Sequence, residues 1–406
     1  MTMSLSLATR MNAVQPSAII KVAGKARELK ASGLDVVSLS IGVPGFLPPA
    51  HVYAAAHIAV DTDSGDYLPG RGSGELVNAF RKLLERRGFA YAETELCAQV
   101  GGKGALFNLL LALVEAGDEV VIPAPYWASY PEMVKIVGGT PVTPLGDAAH
   151  NYKITPAQLE ASLSSKTKLV IFNNPSNPTG MLYSADEVSA LAKVLATRPD
   201  VWVISDDIYD RLVFNTDDAP GGFAAQLLDF EPNLKTRMAI VQSISKTYGM
   251  PGWRIGMVAA PKHLIDAVLT LTSQSFTNLP AVPMAAAVAA MEGDQSFLDN
   301  QKGRLLKQRD ITLAALEEMK LPCPKPEGAF YAFPQIAHLF GKTTPGGKVV
   351  RDDVAFCELL LEEALVAVVP GGAFGDSGAI RISYAGKEEA LVKGLERMQQ
   401  WIESLS

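Results

Sequence analysis

The chain has 406 residues, 48% of them hydrophobic and 19% charged, and a formal net charge of −7. That length is more than one simple core needs and suits a large domain with a smaller one. With no lysine- or arginine-rich stripe, the acidic balance argues against a nucleic-acid partner, because such binding rests on neutralising phosphates. Cys97, Cys323 and Cys357 are scattered singly, a pattern that suggests neither a disulfide framework nor a zinc site and fits a reducing cytoplasm. No run approaches the roughly 18 apolar residues of a membrane helix. Residues 1–14 lack a basic start followed by an apolar run, so the expectation is a soluble, cytoplasmic protein with no membrane partner.

In chain order, Gly104–Glu115 carries apolar residues at helical spacing and Glu119–Pro123 reads as a buried strand. Lys168–Phe172 is a second strand, Ser184–Ala196 a helix, and Val201–Ser205 and Ala239–Ser243 are further strands. This alternation predicts right-handed crossovers and an α/β fold with a mostly parallel central sheet flanked by helices. The apolar run Ala281–Met291 reads as a buried helix, and Phe297–Met319 as a long amphipathic one. After it come short strands at Ala329–Phe333, Val366–Val369 and Ile380–Tyr384, with helices at Asp352–Ala364 and Lys387–Leu405. The predicted division is a large domain over 51–295 and a smaller α+β domain formed by 1–50 with 296–406.

Ligands of an open α/β sheet bind beyond the carboxyl ends of its strands. Three such ends carry polar clusters: Asn173-Asn174-Pro175-Ser176-Asn177-Pro178-Thr179-Gly180, Ser205-Asp206-Asp207-Ile208-Tyr209, and the run from Ser243 through Lys246 to Gly252-Trp253-Arg254. Singly, these read as a proline-rich turn, an acidic helix cap and a polar connection with a solvated lysine. Together and in this order they do not look like chance.

With Arg381 in Ile380-Arg381-Ile382-Ser383-Tyr384, these motifs resemble the class I/II aminotransferases of pyridoxal-phosphate fold type I, and most closely the bacterial aspartate aminotransferases. The likeness runs from about Ser17 to the C-terminus. It implies that Lys246 forms the Schiff base with pyridoxal 5′-phosphate and then shuttles a proton. Asp206 matches the carboxylate that keeps the pyridine nitrogen protonated. Asp207, next to it, should point to the opposite side of the strand. Asn177 and Tyr209 match the partners of the ring's 3′-oxygen, and Trp127 the aromatic stacked on the ring. Ser243, Ser245 and Arg254 match the phosphate ligands, joined by the helix start Gly101-Gly102-Lys103. Tyr67 matches a tyrosine that reaches the neighbouring subunit's phosphate, which implies a homodimer with active sites shared across the interface. Arg381 matches the residue that grips the substrate α-carboxylate, with Asn177 and the backbone of Gly42 beside it; a structural salt bridge is the alternative for Arg381.

The implied reaction moves an amino group from an L-amino acid, aspartate first, to a 2-oxo acid, 2-oxoglutarate first, by a ping-pong route. Alanine, aromatic or other donors, and a lyase or decarboxylase of the same fold, are the alternatives. Lys103 occupies the place of a lysine that reads a distal carboxylate, with a phosphate contact or a solvated helix start as competing roles. Two departures from the family pattern make the pocket edge more apolar: Val43 and Gly45 replace two acids, and Ile19 replaces a threonine after Pro16-Ser17-Ala18.

Readings of other classes fail on particulars. Ser243-Ile244-Ser245-Lys246 has the S-x-x-K form of a Ser/Lys hydrolase, but the accompanying S-D-N and K-T-G motifs are missing. Gly70-Arg71-Gly72-Ser73-Gly74 is not a dinucleotide fingerprint and follows no strand-like run. A non-catalytic regulator would need a DNA-binding arm ahead of residue 17.

Overall fold

A seven-stranded sheet organises the chain, and the computed structural model describes residues 6–62, 65–214 and 220–406 of it. Residues 1–5, on which the export expectation partly rests, lie outside the described residues. Across the sheet the strands run Leu96–Val100, Ile255–Ala259, Met238–Ser243, Trp202–Asp206, Thr167–Asn173, Glu119–Val121 and Thr140–Val142. Ile255–Ala259 is antiparallel to both its neighbours, and the other strand pairs are parallel. The mostly parallel sheet flanked by helices is therefore present.

Side-chain alternation explains how the sheet is covered on both sides. Along Thr167–Asn173, Val170 and Phe172 join one apolar cluster while Leu169 and Ile171 join another. The first cluster takes in helices Gly74–Arg86, Ala185–Ala196 and Ala281–Glu292; the second takes in Gly101–Leu113 and Lys262–Ser273. Burial of each large apolar side chain there contributes roughly 1.5–3 kcal/mol, which offsets the entropy of ordering the chain. Helix starts follow local chemistry. Ser184 accepts from the Glu187 amide while the Glu187 carboxylate accepts from the Ser184 amide, a reciprocal cap at Ala185–Ala196.

Two smaller sheets form from the ends of the chain. Val37–Ser38 pairs in parallel with Val366–Ala367, and Ile380–Ser383 lies antiparallel between Val369–Pro370 and Tyr331–Ala332. A third apolar cluster, including Phe330, Ile382, Leu391 and Trp401, packs them against helices Phe297–Glu318, Asp353–Ala364 and Glu388–Glu403. Among the described residues no helix is long and apolar enough to cross a membrane.

Candidate active site

The carboxyl ends of the parallel strands open onto a cavity of about 230 Å³. Gly42, Gly102, Lys103, Trp127, Asn177, Asp206, Tyr209, Lys246 and Arg381 all line it, so elements far apart in sequence converge there. Asp206 is the last residue of Trp202–Asp206, and Lys246 sits on the short helix that follows Met238–Ser243. Arg381 comes from the small sheet, at the second position of Ile380–Ser383. The site therefore lies between the large sheet and the small ones.

Asp206 is buried, and Tyr130 donates its hydroxyl to Oδ2 at 2.6 Å while Oδ1 has no partner. Burial raises the Asp206 pKa to about 6, opposed by the Tyr130 hydrogen bond. Asp207 takes different partners, accepting from Ser205 and from Gln226, and does not line the cavity. Lys246 donates from Nζ to the carbonyl of Gly42. Burial, helped by the charges of Arg381 and Arg254, pushes its pKa down to about 8.

Arg381 is 1% exposed, yet among the described residues no carboxylate pairs with it. It donates to Asn177 Oδ1 at 3.0 Å and to the Ser40 carbonyl at 2.6 Å, and its Nε has no partner. The rings of Tyr331 and Phe374 lie 4.6 and 4.9 Å from the guanidinium carbon. A buried cation without an acid is costly, and an incoming carboxylate relieves that cost. The salt-bridge alternative for Arg381 thus has no partner in the structure.

At another part of the site, Gly101 opens helix Gly101–Leu113 with φ +68, and an added Cβ would lie 2.1 Å from Arg254 Nη2. A Cβ on Gly102 would come within 3.7 Å of Ser243 Cβ. Ser243 and Ser245 are buried and hydrogen-bonded to each other at 2.7 Å. Gly101, Ser243, Ser245 and Arg254 flank the cavity rather than line it. A helix N-terminus beside a guanidinium and two hydroxyls is an anion cradle. Tyr67 is 88% exposed and does not line the cavity of its own chain. The Lys103 ammonium is 4.8 Å from the Trp127 ring centroid, and desolvation there, then Arg254, lowers its pKa.

Two contributors, Tyr130 and Tyr331, carry no motif that marks them in the sequence, and a third, Asn173, stands there only as the head of a polar cluster. Tyr130 lies three residues after Trp127, whose carbonyl accepts from the Tyr130 amide at 2.9 Å, and a tyrosine at that place also suits plain core packing. Tyr331 shares a 2.8 Å hydroxyl contact with Tyr209, and nothing in its sequence context separates it from a core aromatic. Asn173 donates to the Asp206 carbonyl at 2.7 Å and accepts from the Asn177 amide at 3.1 Å, bracing both.

A buried lysine, a carboxylate with a free oxygen, an anion cradle and an unpaired arginine at the edge of an α/β sheet define an enzyme site for a small carboxylate substrate. Residues 34–398 match the family described as aminotransferase class I and II. The chain is 45% identical to the aspartate/prephenate aminotransferase of Cereibacter sphaeroides, over 97% of this chain and 98% of that one. It is 40% identical to the aspartate aminotransferase of Rhizobium meliloti, over 98% and 97%. Among solved structures, the aspartate aminotransferase from Rhizobium meliloti superposes with a TM-score of 0.94 at 39% identity, covering 99% of this chain and 100% of that one. The aspartate aminotransferase from Thermus thermophilus with maleate gives 0.89 at 34% identity, covering 98% and 100%. The chain belongs to the class I and II aminotransferases, a pyridoxal-phosphate-dependent family, and is a transferase of amino groups.

Proposed function

We propose that this aminotransferase binds pyridoxal phosphate in the 230 Å³ cavity and moves the amino group of aspartate to 2-oxoglutarate. The observation that carries the substrate reading is the buried Arg381 without an acid partner, in one cavity with a second cation, Lys103. Two cations suit a dicarboxylate: Arg381 takes the α-carboxylate as a bidentate pair and Lys103 the distal one. The relatives named aspartate aminotransferase, and the Thermus thermophilus structure with maleate, a dicarboxylic acid, support the same reading.

The residues present fit the cofactor. Asp206 Oδ1, buried and unpartnered, suits a protonated ring nitrogen. Gly101, Gly102, Ser243, Ser245 and Arg254 would hold the phosphate, Trp127 would cover the ring face, and Asn177 and Tyr209 would meet its 3′-oxygen. When bound, pyridoxal phosphate supplies an electron sink for the pair left at the substrate Cα as its proton departs. The chain does the rest. Arg381 and Asn177 orient the substrate carboxylate, Lys246 takes the Cα proton as its general base, and Asp206 holds the proton on the ring nitrogen. Because Lys246 is pushed down to about 8, its neutral amine is accessible near neutral pH.

The site is completed by a second copy in this reading. Tyr67 at 88%, Leu47 at 77%, Ile58 at 64% and Val60 at 61% exposure are large apolar side chains that a partner subunit would cover, bringing its Tyr67 to the phosphate.

One observation favours a wider substrate range. Ile19, Ile20 and Leu106 line the same cavity as the two cations, an apolar wall that accepts a ring-bearing side chain. The relatives named aspartate/prephenate aminotransferase point the same way, so prephenate as amino acceptor is the second reading.

An absorption spectrum of the purified protein, followed through additions of L-aspartate and then 2-oxoglutarate, tests the proposal. The expected result is a visible-edge band that bleaches with aspartate and returns with 2-oxoglutarate. A band untouched by aspartate overturns the donor, and no band after adding pyridoxal phosphate overturns the cofactor site.

A further inference from the structure

Tyr130 is buried at the start of helix Ser129–Ile136, three residues after Trp127, and its ring meets the Trp127 ring edge-on at 5.3 Å and 86°. Its hydroxyl donates to Asp206 Oδ2 at 2.6 Å. The other Asp206 oxygen, Oδ1, is buried and has no partner although Asp206 lines the cavity. A buried polar atom without a partner is rare and calls for an occupant. The hydrogen bond therefore divides the carboxylate into one oxygen held by the protein and one kept open.

We propose that Tyr130 is a positioning residue that, through its hydrogen bond to Oδ2, aims Oδ1 of Asp206 at the cofactor's ring nitrogen and keeps that carboxyl ionised. The inference rests on the reading that pyridoxal phosphate occupies this cavity. Three further facts support the assignment. The donor is a neutral phenol: burial and the neighbouring Asp206 charge hold the Tyr130 pKa well above its usual value, so the proton stays on the hydroxyl. Burial drives Asp206 toward protonation, and among the opposing effects the Tyr130 hydrogen bond ranks first. The Asp206 carbonyl is fixed independently by Asn173 at 2.7 Å, so the backbone is pinned, and Tyr130 is the side chain that holds the carboxyl group. Since Trp127 and Tyr130 flank the same helix start, the stacking surface and the ring-nitrogen partner are set by one element.

A double-mutant cycle tests this. Tyr130→Phe keeps the ring and its contact with Trp127 and removes only the hydroxyl. Equilibrium binding of pyridoxal phosphate is measured for the wild type, Tyr130→Phe, Asp206→Asn and the double variant. The expected result is a loss of affinity of about 10-fold from Tyr130→Phe in the wild-type background, the value of one hydrogen bond to a charged group. In the Asp206→Asn background the same change costs less than about 2-fold. Holoenzymes made with the cofactor labelled with nitrogen-15 in its ring then report protonation directly. The resonance of Tyr130→Phe moves toward the unprotonated pyridine at a lower pH than in the wild type. Equal losses in both backgrounds, or an unmoved ring-nitrogen resonance, overturn the proposal. Denaturant unfolding run alongside identifies a merely structural hydroxyl, which lowers stability and leaves affinity and resonance in place; that outcome also overturns it. A wild type that binds no pyridoxal phosphate would instead refute the cofactor reading.

Discussion

Arg381 donates to Asn177 across 3.0 Å and so ties a strand of the small sheet to the turn that follows a strand of the large one. The connection continues inward, because Asn177 donates to Asn173 and Asn173 donates to the carbonyl of Asp206. One chain of hydrogen bonds thus links the arginine proposed for the substrate carboxylate with the aspartate proposed for the ring nitrogen. The chain holds both ends in one hydrogen-bonded frame, which suits a site that must align substrate and cofactor closely.

Replacing Arg381 with alanine removes a buried donor set that no other residue can supply. The expected loss in kcat/KM for the amino donor is about 10²- to 10³-fold, from roughly 2–5 kcal/mol for a truncated buried charge pair. Arg381→Lys recovers little, since an ammonium cannot reproduce the bidentate geometry and the pocket is walled by Tyr331 and Phe374. Steady-state kinetics with each donor give the answer, and an unchanged kcat/KM in Arg381→Ala rules out the carboxylate role.

Lys246 is expected to be irreplaceable. Lys246→Ala should lack the visible-edge band and lose at least about 10³-fold in turnover. Its titration gives a second, pH-dependent prediction for the cofactor-free protein. The folded value is lowered from 10.5 to about 8, so between those limits the unfolded chain binds more protons than the folded one. Stability from this group therefore rises with pH across that window, and below about 8 its buried ammonium opposes folding. The reactivity follows the neutral amine: modification of Lys246 by an amine-directed reagent, read by mass spectrometry, should rise through pH 8 and then level off. A rise continuing to the ordinary lysine range would contradict the buried environment.

Gly101 is needed for its backbone. With φ +68, alanine there would cost about 1–2 kcal/mol in the left-handed region. The close approach to Arg254 Nη2 is cheaper to relieve, because that guanidinium is the end of a flexible and exposed side chain. Gly101→Ala should therefore fold with modestly lowered stability but weaken pyridoxal-phosphate binding, by displacing Arg254 from the anion cradle. Calorimetric unfolding and a cofactor titration separate the two effects.

Much of this site was legible because it is built on strand ends. Thr167–Asn173, Trp202–Asp206 and Met238–Ser243 are apolar runs that stop at polar clusters, and the α/β rule says where such clusters meet. The helix bounds came close for a similar reason: Ser184 and Asp352 are N-caps whose side chains accept from the amides of Glu187 and Ala355. Strands Leu96–Val100 and Ile255–Ala259 were not anticipated. The apolar run of the first is broken by Gln99, which is buried because Thr272 and Asn108 satisfy its amide, and that of the second by Gly256. That glycine has a tertiary cause, since a Cβ there would lie 2.3 Å from the Gly101 carbonyl carbon. The reversed direction of Ile255–Ala259 has a local one: the link from Met238–Ser243 is too short for a regular crossover helix, so the chain returns antiparallel. Tyr130 and Tyr331 escaped because a buried tyrosine is recognised by its hydroxyl's partner, which only the assembled fold reveals.

Lys103 decides how strongly the enzyme prefers acidic donors. Its ammonium lies over the Trp127 ring and is partly desolvated, which strengthens its attraction for an incoming carboxylate. The wall around it is apolar, with Ile19, Ile20 and Leu106, so a donor without a distal charge loses nothing there except that one ion pair. Lys103→Ala should then lower kcat/KM for aspartate by about 10- to 100-fold, the worth of a charge-assisted hydrogen bond, and change that for phenylalanine by less than about 3-fold. The two residues also act in opposite senses. Ile19→Thr trades apolar wall for a hydroxyl, which should raise the aspartate-to-phenylalanine ratio while Lys103→Ala lowers it. Competition between the two donors in one reaction measures that ratio directly. A proportional loss for both donors in Lys103→Ala would move Lys103 from the substrate side chain to the cofactor phosphate, its competing role.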